Sequence, residues 1–141
     1  MQEPSTITVR VRYAETDQMG VVYHANYFVW FEMGRVECLR QLGFEYKQME
    51  IDDDCHLPVV EATCRYKAPA RYDEILTIET HIVAARSSII KFAYRLLRGE
   101  AGGVASQLLA EAQTTHVVVD GKMQKRTLPE KYATAIRSRL T

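Results

Sequence analysis

One carboxylate and one imidazole stand seven residues apart, where a loop meets the predicted start of a helix. Asp17 lies in a short turn and His24 lies where the helix should begin, within the stretch Tyr13–Arg35. A helix N-terminus carries unpaired backbone N–H groups and the positive end of the helix dipole. A carboxylate beside such donors can attack a carbonyl while the donors hold the developing oxyanion. The spacing therefore favours acyl transfer or hydrolysis.

The segment before Asp17 has the pattern of a half-buried strand. Over residues 6–13, apolar side chains alternate with polar ones, which predicts a strand with one solvated face and places Tyr13 on the apolar face. Gly20 and the polar residues around it break the alternation. We therefore expect a loop from about Ala14 to Tyr23, and this loop carries Asp17.

The segment after the loop has a helical period. From His24 or Asn26 to about Leu42, large apolar side chains occur on most sides, which predicts a long buried helix. Asn26 is suited either to cap the helix or to act as a polar group of the site, and Gly43 is suited to end it. Gly34 costs the helix about 1 kcal/mol relative to Ala. It indicates either close approach of a sheet or ligand, or tolerance of a weak helix position.

The rest of the chain is dominated by strand-like segments. Residues 44–56 have the character of a connector, and its acidic end, Asp52–Asp54 with His56, is typical of a solvated loop. Three adjacent carboxylates cannot all face one metal ion without a strained backbone. Gly102-Gly103 marks a turn, and Pro129 opens a short terminal helix. Strands are expected over 57–66, 76–83, 90–97 and 108–118.

Together these elements predict an α+β fold in a single domain over residues 1–141. A five-stranded, largely antiparallel sheet should wrap around one long central helix, with a short C-terminal helix following. Long strands leave a sheet edge that needs covering, so edge pairing in a dimer is expected.

Composition and charge argue against several function classes. The chain has 141 residues with 18 basic and 18 acidic side chains, so bulk charge does not favour a nucleic-acid partner. No apolar run approaches the roughly 20 residues of a membrane-spanning helix, and no secretory leader is visible. The three cysteines (Cys38, Cys55 and Cys64) lack metal-like spacing, which indicates free thiols and predicts a cytoplasmic location.

Two blocks of residues resemble one known family. The first is TDQMGVVYHANY, Thr16–Tyr27, followed by Phe31-Glu32 and Arg35, and the second is YKAPARYD, Tyr66–Asp73. Both are similar to sequences of hotdog-fold acyl-CoA thioesterases, in the YbgC-like branch of the 4-hydroxybenzoyl-CoA thioesterase family. The resemblance extends from about Ile7 to Pro129.

The resemblance implies a fold, an assembly and a reaction. Subunits of this family pair edge to edge into a homodimer, dimers often stack into a dimer of dimers, and active sites lie at the dimer interface. Asp17 is implied to act on the thioester, as nucleophile or as general base for water, while backbone amides around His24 and Ala25 polarise the carbonyl. The implied substrate is a thioester of coenzyme A or of an acyl carrier protein, which makes acyl carrier protein a candidate partner. No cofactor is implied, because coenzyme A is part of the substrate.

Further residues are expected to complete the site. The His24 ring can bond the thioester oxygen or orient Asp17, and Tyr23 is expected as a wall of the pocket. Asn26 is the polar group or cap described above. Cations at the rim of a site suit a phosphorylated carrier, and the candidates for the phosphates of coenzyme A are Arg71, Lys91, Lys125 and Arg126.

Alternative functions stay open at this point. A carboxylate on the helix, Glu32, is a rival for Asp17, because another hotdog thioesterase group uses a helix carboxylate. A hotdog dehydratase or hydratase would place an acid and a base over Cα and Cβ of the acyl group. A module that binds acyl thioesters or carrier proteins would release no thiol. The order of Asp17 before His24 favours hydrolysis, and the identity of the acyl group is open.

Overall fold

Five antiparallel strands form a sheet that packs on one long helix. The structure, a computed structural model, describes residues 3–100 and 107–140. The strand order is β1-β3-β4-β5-β2, so β1 and β2 are the edges. The strands are β1 (Ser5–Arg10), β2 (Val59–Tyr66), β3 (Ile75–Arg86), β4 (Ile89–Arg98) and β5 (Leu108–Val117). The helices are α1 (Asn26–Gln41), α2 (Tyr46–Asp53) and α3 (Glu130–Arg137). This is the predicted α+β hotdog fold, and the predicted turn at Gly102-Gly103 lies outside the described residues.

Helix α1 approaches the sheet most closely at Gly34. The helix lies against β1 and β3. A Cβ atom at Gly34 would lie only 2.6 Å from Oγ1 of Thr80 and 3.1 Å from Cγ2 of Ile78, both on β3. Real Cβ atoms avoid such contacts, so the glycine is explained by close approach of the sheet and not by tolerance of a weak helix position.

The structure corrects two predictions about the elements around α1. Strand β1 ends at Arg10, and Tyr13 begins a short 3₁₀ turn with its side chain 74% exposed, so its placement on the apolar face was wrong. Apolar and polar residues continue to alternate after the strand ends, so the alternation does not show where the backbone bends. The connector over 44–56 contains helix α2, which has one buried residue, Met49. A helix with a single buried residue shows no clear apolar period.

A chain of buried and half-buried polar groups links α1 to Leu57, just before β2. Arg35 Nη1 donates to the Tyr94 hydroxyl at 3.1 Å, and this hydroxyl lies 2.7 Å from Oγ1 of Thr114. Thr114 Oγ1 lies 2.8 Å from His116 Nε2, and His116 Nδ1 lies 2.9 Å from the Leu57 carbonyl. Because a guanidinium only donates and a carbonyl only accepts, each hydroxyl donates toward His116, and the imidazole carries its proton on Nδ1.

This chain predicts a loss of stability in acid. His116 is fully buried, and burial is the main reason why its pKa is lowered from about 6.5 to about 4. The unfolded state therefore binds a proton in a pH range where the folded state does not. The stabilisation is complete above about pH 6.5 and falls as pH drops toward 4, by about 3 kcal/mol in total.

The measurement is urea unfolding of the wild type and of His116→Gln from pH 7 to pH 4. Glutamine can donate to Leu57 and accept from Thr114, but it does not titrate. The pKa of His56 is raised by its hydrogen bond with Asp54, so protonation of His56 stabilises the folded state in acid. His56 is present in both proteins, so its contribution cancels when their free energies of unfolding are compared. Parallel losses of stability in the two proteins would contradict the prediction.

Candidate active site

Asp17 and His24 line the same pocket at the N-terminal end of α1. The cavity has a volume of about 310 Å³. It is bounded by the loop before α1, by the first turn of α1 and by the segment that follows β2. Its lining residues are Asp17, Val21, Val22, His24, Tyr27, Tyr66, Lys67, Ala68 and Pro69.

The Asp17 loop is a tight turn closed by its own backbone. Asp17 donates its N–H to the Val21 carbonyl at 2.9 Å, and Gly20 donates to the Asp17 carbonyl at 3.0 Å. Gly20 has φ +81°, a left-handed conformation that suits glycine. Asp17 Oδ1 accepts the Met19 N–H at 2.9 Å. Within the described parts of the chain, no group donates to Oδ2, so one carboxylate oxygen is available for chemistry.

The start of α1 has two backbone donors, the N–H groups of His24, which lines the pocket, and of Ala25, which is not among the lining residues. Ala25 occupies the N-cap position, and Asn26 is the first helical residue. Among residues 3–100 and 107–140, no acceptor lies on the N–H groups of His24 or Ala25. Unpaired N–H groups at a helix start carry positive potential, so they suit a developing oxyanion.

The His24 ring lies on an aromatic surface. Its centroid is 4.6 Å from that of Tyr23 and 6.2 Å from that of Tyr66, which meets it edge-on. Tyr23 was expected as a wall of the pocket, but its half-exposed ring contacts His24 and is not among the lining residues. In this chain Tyr23 therefore supports the imidazole from outside the pocket.

Asn26 has neither of its two expected roles. Its side chain makes no cap bond and does not line the pocket; instead, Nδ2 donates to the Glu15 carbonyl at 2.8 Å. The same carbonyl accepts the Tyr23 N–H at 2.9 Å. These two bonds tie the loop that carries Asp17 to the start of α1.

Glu15 also holds the Asp17 loop against α1. The sequence did not predict this role. The Glu15 carboxylate is buried and accepts the Arg12 N–H at 2.7 Å and the Trp30 indole N–H at 3.1 Å. Trp30 is only 2% exposed. A buried indole N–H needs an acceptor, and that requirement was the available signal for a nearby carboxylate.

Two tyrosines in the pocket were also missed as site residues. Tyr66, at the end of β2, donates its hydroxyl to the His24 carbonyl at 3.0 Å. Tyr27, on α1, accepts the Ala70 N–H at 3.2 Å and is buried. The only sequence signal for a site role of Tyr66 was its position directly before Lys67–Ala70 in the second block. Its hydrogen-bond partner lies 42 residues away along the chain.

The predicted phosphate-binding cations are not all brought to this pocket. Arg71 is exposed and lies two residues beyond Pro69, which lines the pocket. Lys67 lines the pocket but was not among the predicted cations. Arg126 donates to the Asp53 carbonyl at 2.6 Å, at the end of α2 and away from the pocket residues.

Lys91 lies along the sheet away from the pocket. It is paired with Thr115 on β5, whereas Tyr66 is paired with Ala110. Glu32, the rival carboxylate, is exposed and lines a separate groove between α1 and β1. Binding of phosphate by Arg71, Lys91 or Arg126 stays a prediction.

The described part of the chain has neither a metal-binding group of side chains nor a membrane-spanning helix. Over residues 3–100 and 107–140, no three side chains of His, Cys, Asp or Glu form a group that could hold a metal ion. His56 instead lies 3.2 Å from a Glu50 oxygen and 3.0 Å from an Asp54 oxygen. None of the helices in the described chain has the length and apolar character to cross a bilayer.

Comparison with known proteins gives evidence about the family of this chain. The family model described as "Thioesterase-like superfamily" matches residues 11–136. The chain is 39% identical over 123 residues to "Acyl-CoA thioester hydrolase YbgC" of Escherichia coli O6:H1, an alignment that covers 86% of this chain and 87% of that protein.

Solved structures agree with the fold. A hypothetical protein from Thermus thermophilus, TT1821, superposes with a TM-score of 0.87 at 36% identity, over 96% of this chain and 98% of that one. Slr0204 from Synechocystis, a 1,4-dihydroxy-2-naphthoyl-CoA thioesterase, superposes with a TM-score of 0.82 at 28% identity, over 94% of both chains.

Proposed function

Because the chain belongs to the thioesterase-like superfamily and is a thioester hydrolase, we propose that it hydrolyses acyl-CoA at the pocket between Asp17 and the start of α1. One observation carries the proposal. Asp17, which has a free carboxylate oxygen, and His24, whose backbone N–H has no acceptor among the described residues, line one cavity at the start of α1. Coenzyme A is part of the substrate, and the catalytic groups are supplied by the chain itself.

Two routes use this geometry. In the first, Asp17 attacks the thioester carbonyl, the C–S bond breaks, and water hydrolyses the aspartyl–acyl anhydride to free acid. In the second, Asp17 accepts a proton from water as the water oxygen attacks the same carbon, and the thiolate leaves with a proton. In both routes the carbonyl oxygen becomes negative and is held by the N–H groups of His24 and Ala25.

Strand β2 supports the proposal of a homodimer. It forms one edge of the sheet, and α1 lies over β1 and β3 near the opposite edge. Ala62 is paired with the inward-facing, buried Thr114, yet Ala62 is exposed. An edge strand with an uncovered inner face is suited to pairing with a second copy, which would extend the sheet and close the pocket beside Tyr66.

A charged residue on this inner face is expected to break the dimer. Ala62→Asp should convert dimers to monomers at micromolar concentration, because a carboxylate would be buried without a partner, and hydrolysis should fall in parallel. Analytical ultracentrifugation and thiol release are the measurements. Thr63→Asp, on the opposite face of the same strand, is the matched control and should leave the assembly intact. An Ala62→Asp protein that stays dimeric would contradict the assignment of this edge.

The experiment that tests the function is a panel of acyl thioesters with detection of free thiol. The panel contains short, long and aromatic acyl-CoAs, one acyl carrier protein thioester, and enoyl and 3-hydroxyacyl thioesters. Thiol release from at least one acyl-CoA is expected. Dehydration without thiol release would indicate the dehydratase alternative, and tight binding without any reaction would indicate a binding module. The three unpaired cysteines support a cytoplasmic setting for this reaction.

A further inference from the structure

The peptide unit between His24 and Ala25 is held from one side and free on the other. The His24 carbonyl accepts the Tyr66 hydroxyl at 3.0 Å and the Tyr27 N–H at 3.3 Å. The Ala25 N–H, at the other end of the same peptide unit, has no acceptor among the described residues. The unit therefore has a fixed carbonyl and an available donor.

Peptide geometry couples these two ends. A trans peptide is planar, with its C=O and N–H pointing in opposite directions, so a bond that fixes the carbonyl also fixes the direction of the N–H. No cis peptide occurs among the described residues. Donation to the carbonyl also polarises the amide, which strengthens the N–H as a donor.

Tyr66 is well placed to exert this effect. Its backbone is paired with Ala110 in the sheet, and its ring meets the Tyr27 ring edge-on with centroids 4.9 Å apart. Burial is the main reason why the pKa of its phenol is raised to about 12, so the hydroxyl keeps its proton at working pH. Although Tyr66 is 44% exposed, its hydroxyl is therefore a protonated donor at the end of a paired strand.

We propose that Tyr66 is a positioning residue for thioester hydrolysis, whose hydroxyl directs and strengthens the Ala25 N–H as the donor to the oxyanion. The inference rests on the proposed function. Tyr66 need not touch the reacting atoms, since its effect passes through the His24–Ala25 peptide. The prediction is therefore an effect on the chemical step and not on substrate binding.

Tyr66→Phe keeps the ring and removes the hydroxyl. Removing an oxyanion donor outright costs about 100-fold or more in kcat, so weakening one is expected to lower kcat by about 10-fold to 30-fold. KM should change by less than about twofold, since ground-state binding does not use the hydroxyl. Tyr72→Phe, an exposed tyrosine that packs on Tyr13, is the matched control and should leave both constants unchanged.

A spectroscopic measurement separates positioning from a merely structural role. In the Asp17→Asn background, the acyl-CoA that the wild type hydrolyses fastest is bound with a ¹³C label at its carbonyl. Its infrared stretch should lie below the free value, and adding Tyr66→Phe should move it back toward that value. Circular dichroism on each variant verifies the fold.

The outcomes distinguish this inference from the proposed function. An unchanged kcat in Tyr66→Phe overturns the inference, and so does a fall in kcat with no shift of the carbonyl stretch. A rise in KM alone would also overturn it. Wild-type activity in Asp17→Asn would instead overturn the proposed catalytic role of that carboxylate.

Discussion

Asp17→Asn is expected to lower kcat for acyl-CoA hydrolysis by about 1,000-fold. The amide has the shape of the carboxylate, and its oxygen can still accept the Met19 N–H that shapes the turn. It can neither attack a carbonyl effectively nor take a proton from water. KM should change little, because the pocket keeps its walls. Thiol release under saturating substrate is the measurement, and it tests both routes at once, because each needs the negative charge.

The chain offers a closely matched control for this substitution. Asp120 forms a similar turn away from the pocket, where its Oδ1 accepts the N–H groups of Lys122 and Gln124, each at 2.9 Å. Asp120→Asn changes the same functional group in the same local geometry and should retain full activity. Near wild-type hydrolysis by Asp17→Asn would refute the mechanism, whereas equal losses in both variants would point to a general effect of removing turn carboxylates.

Gly34→Val is expected to destabilise the protein by about 2–3 kcal/mol, the upper part of the range of about 1–3 kcal/mol for overpacked cores. The new Cβ would lie 2.6 Å from Thr80 Oγ1 and 3.1 Å from a methyl group of Ile78. Thr80 is β-branched and buried, so its side chain has little freedom to rotate away from the contact. The sheet cannot shift easily, because Ile78 and Thr80 are both buried in β3 between two paired strands. Urea unfolding gives the change in free energy.

Glu32→Val is the control, because it places the same β-branched side chain on the exposed face of the same helix. It should cost less than about 1 kcal/mol, the range of helix propensities for ordinary residues. Equal destabilisation by the two variants would show that propensity, and not contact with the sheet, explains Gly34. Any displacement of α1 in Gly34→Val should also reduce hydrolysis, since the proposed oxyanion donors stand at the N-terminal end of this helix.

Elements with a strong period were predictable from the chain. Alternation identified β3, β4 and β5, since residues such as Ile78, Phe92 and Ala112 point into the core at every second position. The helical period identified α1, whose observed bounds are Asn26–Gln41. Helix α2 was not predictable, because only one of its residues, Met49, is buried and the segment therefore has no apolar period. Tyr13 was misplaced because alternation continues where the backbone has already turned.

The local part of the site was equally predictable. Asp17, His24 and Ala25 lie within nine consecutive residues, so their proximity follows from the turn and the helix start alone. The residues that hold this arrangement come from elsewhere. Glu15 reaches Trp30 in the core, and Tyr66 reaches His24 from the far end of a strand.

The sequence by itself thus determined the types of the elements and the catalytic hypothesis at Asp17, because both depend on spacing between neighbours in the chain. Only the tertiary structure decided that Asn26 braces a loop, that Gly34 is forced by the sheet, and that Tyr66 holds the peptide at the helix start. These roles depend on strand register and on the distance between helix and sheet. Register and helix–sheet distance are set when distant segments pack together, so they cannot be read from the spacing of residues along the chain.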